Sequence, residues 1–177
     1  LEYATQYGVK KLLIFSSSID FSFSKYSKKI DKIVYDVSTL IKRNTDPDAQ
    51  IGAINTVLYR EHKFHYDDSH IIVSKNISNH FIVKLLDTKL GICSSLPLLY
   101  LIVAEKLNYP IYAVEAPGHS FCRYEIKNIY GSNKHLQINI EATGNGGGSP
   151  DINYIDEFKI SKKTYTNDVY LRTLSKK

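Results

Sequence analysis

A cysteine, a histidine and a glutamate, met in that order, carry the chemistry this sequence can offer. Cys93 stands in GICSSLPLLYLIVAEKL at the head of an apolar helical run, His119 opens the strand-like run HSFCRYEI, and Glu141 follows in INIEATG. Only the thiolate attacks carbon, and a cysteine near a helix N-terminus faces unpaired backbone N–H groups and the positive end of the helix dipole, which favour the anion. A neighbouring histidine can take the proton, leaving a thiolate–imidazolium pair, and a carboxylate behind the imidazole can fix its tautomer and stabilise its charge. The spacing therefore predicts acyl transfer on an amide, with Cys93 as nucleophile, His119 as base and Glu141 as the orienting acid. The Cys93 backbone N–H is the natural first donor to the developing oxyanion, and Asn79 and His80 are candidates for the second.

Each residue also has a plainer reading: a small buried hydrophobe, a satisfied strand histidine, a solvent-facing carboxylate. Their joint placement is what points to chemistry. A Cys93–Cys122 disulfide would silence the nucleophile. Strand alternation argues against it, putting His119, Phe121 and Arg123 on one face and Ser120, Cys122 and Tyr124 on the other. A zinc site from Cys93, Cys122 and His119 lacks the paired spacing that completes four ligands, and the predicted chemistry needs no metal or organic cofactor. The remaining histidines, His62, His65, His70, His80 and His135, read as loop or surface residues, with the segment from His62 to His70 polar enough to rim a cleft.

The scaffold that brings these residues together can be read from size and pattern. At 177 residues, 43% hydrophobic and 23% charged, the chain is expected to bury one core without staples, as a single domain over residues 1–177. The longest apolar stretch, Leu96 to Ala104, is too short to span a bilayer, so no membrane partner is expected. The net charge of +5 comes from lysines that are scattered or lie along one helix with acids between them, a solvated face and not a nucleic-acid platform. The fourteen tyrosines show no basic–aromatic alternation and read as core and rim residues. The Asn76-Ile77-Ser78 sequon is too common a triplet to imply secretion. A start at Leu1, with no charged n-region before an apolar stretch, is expected where a leader is missing or where the chain begins inside a longer protein.

Ile30, Ile33, Val34, Val37, Leu40 and Ile41 fall at helical spacing and predict an amphipathic helix over Tyr26 to Arg43. Asp46-Pro47 starts a second helix running towards Tyr59, and EHKFHYDDSH reads as a polar loop. Ser78 is placed to cap a short third helix that stops at Asp87-Thr88-Lys89. The run from Cys93 to Leu107 is apolar on nearly every face, so its helix must be surrounded, and Pro97 pins its start close to Cys93. Beyond Pro110 the pattern changes to IYAVEA, a Pro117-Gly118 break, HSFCRYEI, a turn near Gly131-Ser132-Asn133, and HLQINIEA: an antiparallel meander. Gln137, Asn139 and Glu141 share one face of the last strand, so Glu141 can stand beside His119. Gly144 to Pro150 reads as a flexible loop lacking the Gly-Lys-Ser/Thr ending of a phosphate cradle, and the tail from Tyr154 to Leu174 as short amphipathic pieces.

The block DTKLGICSSLPLLYLIVAEKLNYPIYAVEAPGHSFCRYE followed by NIEATGNGG resembles the transglutaminase-like superfamily, particularly its bacterial SirB-type branch, which is often joined to tetratricopeptide repeats. IGAINTVLYREHKF, SNHFIVKLL, DEFKIS and YLRTLSK extend the resemblance over roughly residues 50–175. It implies an α+β, papain-like fold: a helical part over about residues 25–107 and a sheet part over about 110–175, with the nucleophile helix packed on an antiparallel sheet. It also implies the roles already given to Cys93, His119 and Glu141, and adjacent repeat domains in a longer chain. The wider superfamily usually has aspartate in the third position; here glutamate reaches one methylene farther. The substrate expected is a peptide or protein amide. Water as acceptor gives a peptidase or amidase, an amine gives a cross-link, and the competing reading is a non-catalytic module that holds a peptide in the same cleft.

Overall fold

The computed structural model describes residues 23–69, 77–127 and 135–174. His70, the sequon asparagine Asn76 and the turn near Gly131 lie outside the described residues.

Helix α1, Phe23–Ile41, buries Tyr26, Ile30, Ile33, Val37 and Ile41 at three- and four-residue intervals and turns its lysines outward. Helix α2, Pro47–Asn55, starts as its sequence dictates. Proline occupies the first turn, where its missing N–H costs nothing, and the Asp46 carboxylate accepts from the Ala49 N–H at 2.9 Å. The expected continuation to Tyr59 is not α-helical, because Thr56–Glu61 widens into a π-helical segment. The polar reading of the next stretch also fails locally. Phe64 is fully buried, and His65–Tyr66 forms a short strand, β1, parallel to β2, Leu90–Gly91.

Ser78 is not the cap expected of it. It lies within a 3-10 turn, Ile77–His80, and helix α3, Ile82–Thr88, starts after Phe81, which offers no capping side chain. That helix ends in Lys89 at φ 67, a left-handed C-cap taken here by a residue other than glycine. Helix α4, Ser95–Lys106, begins two residues past Cys93, so the cysteine sits in the turn leading into the helix and not on its first turn. Pro97 falls inside the first turn, as expected. Leu96, Leu99, Tyr100, Ile102 and Val103 are all buried, which makes α4 the helix the others surround. Each such side chain contributes about 1.5–3 kcal/mol of apolar burial.

The meander comes next: β3, Ile111–Ala116; β4, His119–Ile126; and β5, Leu136–Ile140, hydrogen-bonded in that order and antiparallel throughout. Pro117-Gly118 makes the β3–β4 turn, with Gly118 at φ +71, where a side chain would be strained. Alternation sorts the sheet as predicted. Cys122, Tyr124 and Ile140 join Leu96, Leu99 and Tyr100 of α4 in the main core. On the opposite face Val114 and Phe121 pack with Tyr154, Ile160 and Leu171 of the tail in a second cluster. The tail is more regular than its sequence suggested, forming α5, Asp151–Glu157, and α6, Lys162–Thr166. Helices followed by an antiparallel sheet, with the cysteine helix packed on that sheet, give the expected α+β, papain-like arrangement. Among the described residues no helix is long and apolar enough to cross a membrane.

Candidate active site

The β4–β5 register decides where the acid falls. Cys122 stands opposite Ile140, so Glu141 continues the strand one step beyond, diagonal to His119 on the same face. Diagonal neighbours in an antiparallel pair are about 7–8 Å apart, a gap that only long side chains close. Glutamate's extra methylene supplies that reach, and Glu141 Oε2 lies 2.7 Å from His119 Nε2. The carboxylate is itself held on its other oxygen. Oε1 accepts from the Thr143 N–H at 3.0 Å and the Thr143 hydroxyl at 2.6 Å, and the Tyr154 hydroxyl donates to Oε2 at 3.1 Å.

Cys93 reaches the same ring from the turn before α4. Its backbone is tied down by the Ser120 hydroxyl, which donates to the Cys93 carbonyl at 2.5 Å, and by buried Ser95, whose oxygen accepts the Ile92 N–H at 3.0 Å. The sulfur is half-buried, 4.0 Å from the Gly118 carbonyl, and near enough to the His119 side chain to raise its pKa. With Nε2 engaged by Glu141, Nδ1 is the nitrogen left for sulfur. The ring therefore sits between a potential anion on one side and a fixed carboxylate on the other. The neighbouring Cys93, then the hydrogen bond to Glu141, raise the His119 pKa from 6.5 to about 9 against the opposing effect of burial. For Glu141, burial pushes the pKa up, yet the hydrogen bonds from His119 and Thr143 outweigh it and hold the carboxyl below its ordinary value. A protonated imidazole beside an ionised carboxylate is the state these directions favour near neutral pH.

Aromatic rings complete the setting, and these the sequence did not reveal. Phe158 stacks on His119 at 5.3 Å and 14°, while Phe121 and Tyr154 stack on each other at 4.0 Å beside it. Only 15% of the His119 side chain and 19% of that of Glu141 are exposed, so their interaction is poorly screened by water. Tyr154 and Phe158 sit on or just past α5, in a tail whose short runs gave no periodicity to read. The paired Tyr and Phe four residues apart were the available signal.

His80, a sequence candidate for oxyanion donation, hydrogen-bonds the Ser94 hydroxyl at 2.8 Å, next to the nucleophile. The Cys93 N–H has no acceptor among the described residues. Cys122 points the other way: its thiol contacts the Pro97 carbonyl at 3.6 Å inside the main core, is free of any disulfide, and is pushed to a higher pKa by burial. His62 and His135 pair with Asp36 and Glu125 away from the triad, and His65 bonds the Lys63 carbonyl.

A model of the transglutaminase-like superfamily matches residues 24–172, and the chain belongs to that superfamily. Membership points to cysteine-based acyl transfer as the general chemistry. None of the curated proteins matches the chain. One solved structure, titled "Crystal structure of a TGase", is similar over 80% of this chain at 14% identity and a TM-score of 0.47. The match spans 38% of that chain, well under half its length.

Proposed function

We propose that this protein cleaves or transfers an amide acyl group through a Cys93–His119–Glu141 triad, with water as the usual acceptor. The observation that carries the reading is the His119 ring held between the Cys93 thiol and the 2.7 Å bond to Glu141, with its pKa raised. In the first half-reaction the Cys93 thiolate forms a bond to the amide carbon, the Cys93 N–H steadies the oxyanion, and His119 gives its proton to the departing nitrogen as the C–N bond breaks. In the second, His119 takes a proton from water, which attacks the thioester and frees a carboxylic acid and the thiol. Glu141 keeps Nδ1 facing sulfur throughout. Hydrolysis is preferred over cross-linking because water needs no second binding site. The substrate class is a peptide or protein amide.

The Pro-Gly-His and Asn-Ile-Glu-x-Thr elements support assignment to the bacterial SirB-type branch, with the whole chain as one domain and tetratricopeptide repeats as neighbours in a longer protein. Incubation with denatured casein, read for new amino termini, released ammonia and intermolecular cross-links, tests the reaction. New termini or ammonia without cross-links, lost in Cys93→Ala, is the expected result. Cross-links mark the amine-acceptor route, and none of the three products is what a non-catalytic peptide-holding module would give.

A further inference from the structure

A groove of about 780 Å³, not lined by the triad itself, opens between two walls that each lead along the chain or through strand pairing to a triad residue. One wall is the π-helical segment and the residues after it, contributing Tyr59, Arg60, Lys63 and His65; the other is the glycine-rich loop that follows Glu141, contributing Asn145 and Gly146. The first wall runs into β1, which pairs with β2, and β2 leads to Cys93 two residues later.

The loop expected to be flexible is pinned. Asn55 Nδ2 donates to the Gly146 carbonyl at 3.0 Å, and the Tyr59 hydroxyl to the Ala142 carbonyl at 3.0 Å. Gly146 adopts φ +78, and a Cβ there would overlap the Asn55 side chain. Two hydrogen bonds and one close approach therefore hold the walls in register before any ligand arrives, as in a preformed site.

The charge of the groove is one-sided. Arg60 and Lys63 line it, no aspartate or glutamate does, and neither cation forms an ion pair among the described residues. Elsewhere lysines do find acids: Lys29 pairs with Asp87 and Lys106 with Asp31. The π-helical turn contributes as well. An extra residue in the turn changes the direction in which the following side chains leave the helix, a device that recurs at functional sites.

We propose that this groove binds acidic side chains of the peptide on which Cys93 acts, so that the substrate carries glutamate or aspartate near the scissile amide. Calling that peptide a substrate rests on the acyl-transfer reading; the binding itself does not. Arg60 offers a planar fork to a carboxylate and Lys63 a point charge, while Asn145 and the loop backbone supply neutral polar contacts.

The test uses the full chain with Cys93→Ala, which cannot turn over, and fluorescence anisotropy of fluorescein-labelled hexaglutamate against hexaglutamine. Hexaglutamate should bind, more weakly as salt rises, and Arg60→Ala with Lys63→Ala should weaken it by about ten- to a hundredfold, the scale of charge-assisted hydrogen bonds. Lys28→Ala, which removes an exposed lysine on α1, should leave binding unchanged. Equal binding of hexaglutamine, no effect of the double variant, an equal loss in Lys28→Ala, or binding of inorganic phosphate without hexaglutamate would each overturn the proposal. If hexaglutamate binds as expected while casein stays intact with active protein, the acyl-transfer reading fails and the acidic-peptide site stands.

Discussion

Replacing Glu141 with glutamine keeps the side chain's shape and removes its charge, and the surrounding hydrogen bonds set the outcome. Oε1 accepts two bonds from Thr143, so the amide oxygen of a glutamine belongs there. Its NH2 group then faces His119 Nε2 and the Tyr154 hydroxyl, where the carboxylate used to accept from both. A ring facing a donor must present a lone pair at Nε2 and carry its proton on Nδ1, the nitrogen turned to sulfur, so it can no longer take the thiol proton. The flipped amide aims N–H at the Thr143 N–H and leaves both unpaired, at about 1–3 kcal/mol. Either way the imidazolium loses its counter-charge. An opposite charge this close moves a pKa by about 1 to 3. His119 should therefore fall from about 9 to between roughly 6 and 8. Because the ratio of thiolate–imidazolium to thiol–imidazole changes tenfold per unit of imidazole pKa, that ratio should drop about ten- to a thousandfold. Titration of the His119 ring proton by NMR in both proteins reads the first quantity, and the rate of Cys93 alkylation by iodoacetamide at pH 7 reads the second. A His119 pKa unmoved by the substitution would refute the claim that Glu141 holds the imidazolium.

The same pair sets a pH dependence of stability. His119 is raised from 6.5 to about 9, so its contribution is complete below pH 6.5 and is lost as pH rises through 9. Glu141 is lowered from 4.5, so its contribution is present above pH 4.5 and is lost as pH falls through its depressed pKa. Urea unfolding should show His119→Ala costing most between about pH 5 and 6.5 and progressively less by pH 9.5. Arg123, with a side chain 3% exposed, donates to Asn139, the Leu171 carbonyl and Asp151, tying β4 to β5, α5 and the tail. Arg123→Met should lose about 3 kcal/mol, at the low end for a broken buried pair because Asp151 is 28% exposed. Gly146→Ala should cost at least about 2 kcal/mol, from the left-handed backbone and the overlap with Asn55, and a melting temperature within 2 °C of the parent, a span of order 1 kcal/mol or less, would contradict the pinning of the loop.

How legible the molecule was in its sequence depended on where the deciding contact lay. The meander could be read because alternation in HSFCRYEI and HLQINIEA is local, and it correctly assigned Phe121 and Cys122 to opposite faces. The chain order of Cys93, His119 and Glu141 could be read because each lies at or within two residues of an element's end. The π-helical turn could not, since no residue in TVLYRE distinguishes it from α-helix; the loop from Ala142 to Gly146, bonded to Asn55 and Tyr59, accompanies it in space. Phe64 and β1 were hidden in a polar segment because a single buried aromatic has no period. The fit of glutamate to a diagonal position needed the strand register, which no sequence spacing supplies across the turn between β4 and β5.

The central claim is that sulfur and imidazole act together as an acyl acceptor. The most direct measurement mixes the protein with p-nitrophenyl acetate at pH 7, follows the first turnover of p-nitrophenol, and locates the acetyl group by peptide mass spectrometry. A stoichiometric burst with the adduct on Cys93, abolished in Cys93→Ala and strongly slowed in His119→Ala, is the predicted result. No burst, an adduct confined to lysines, or a burst of equal rate without His119 would contradict it.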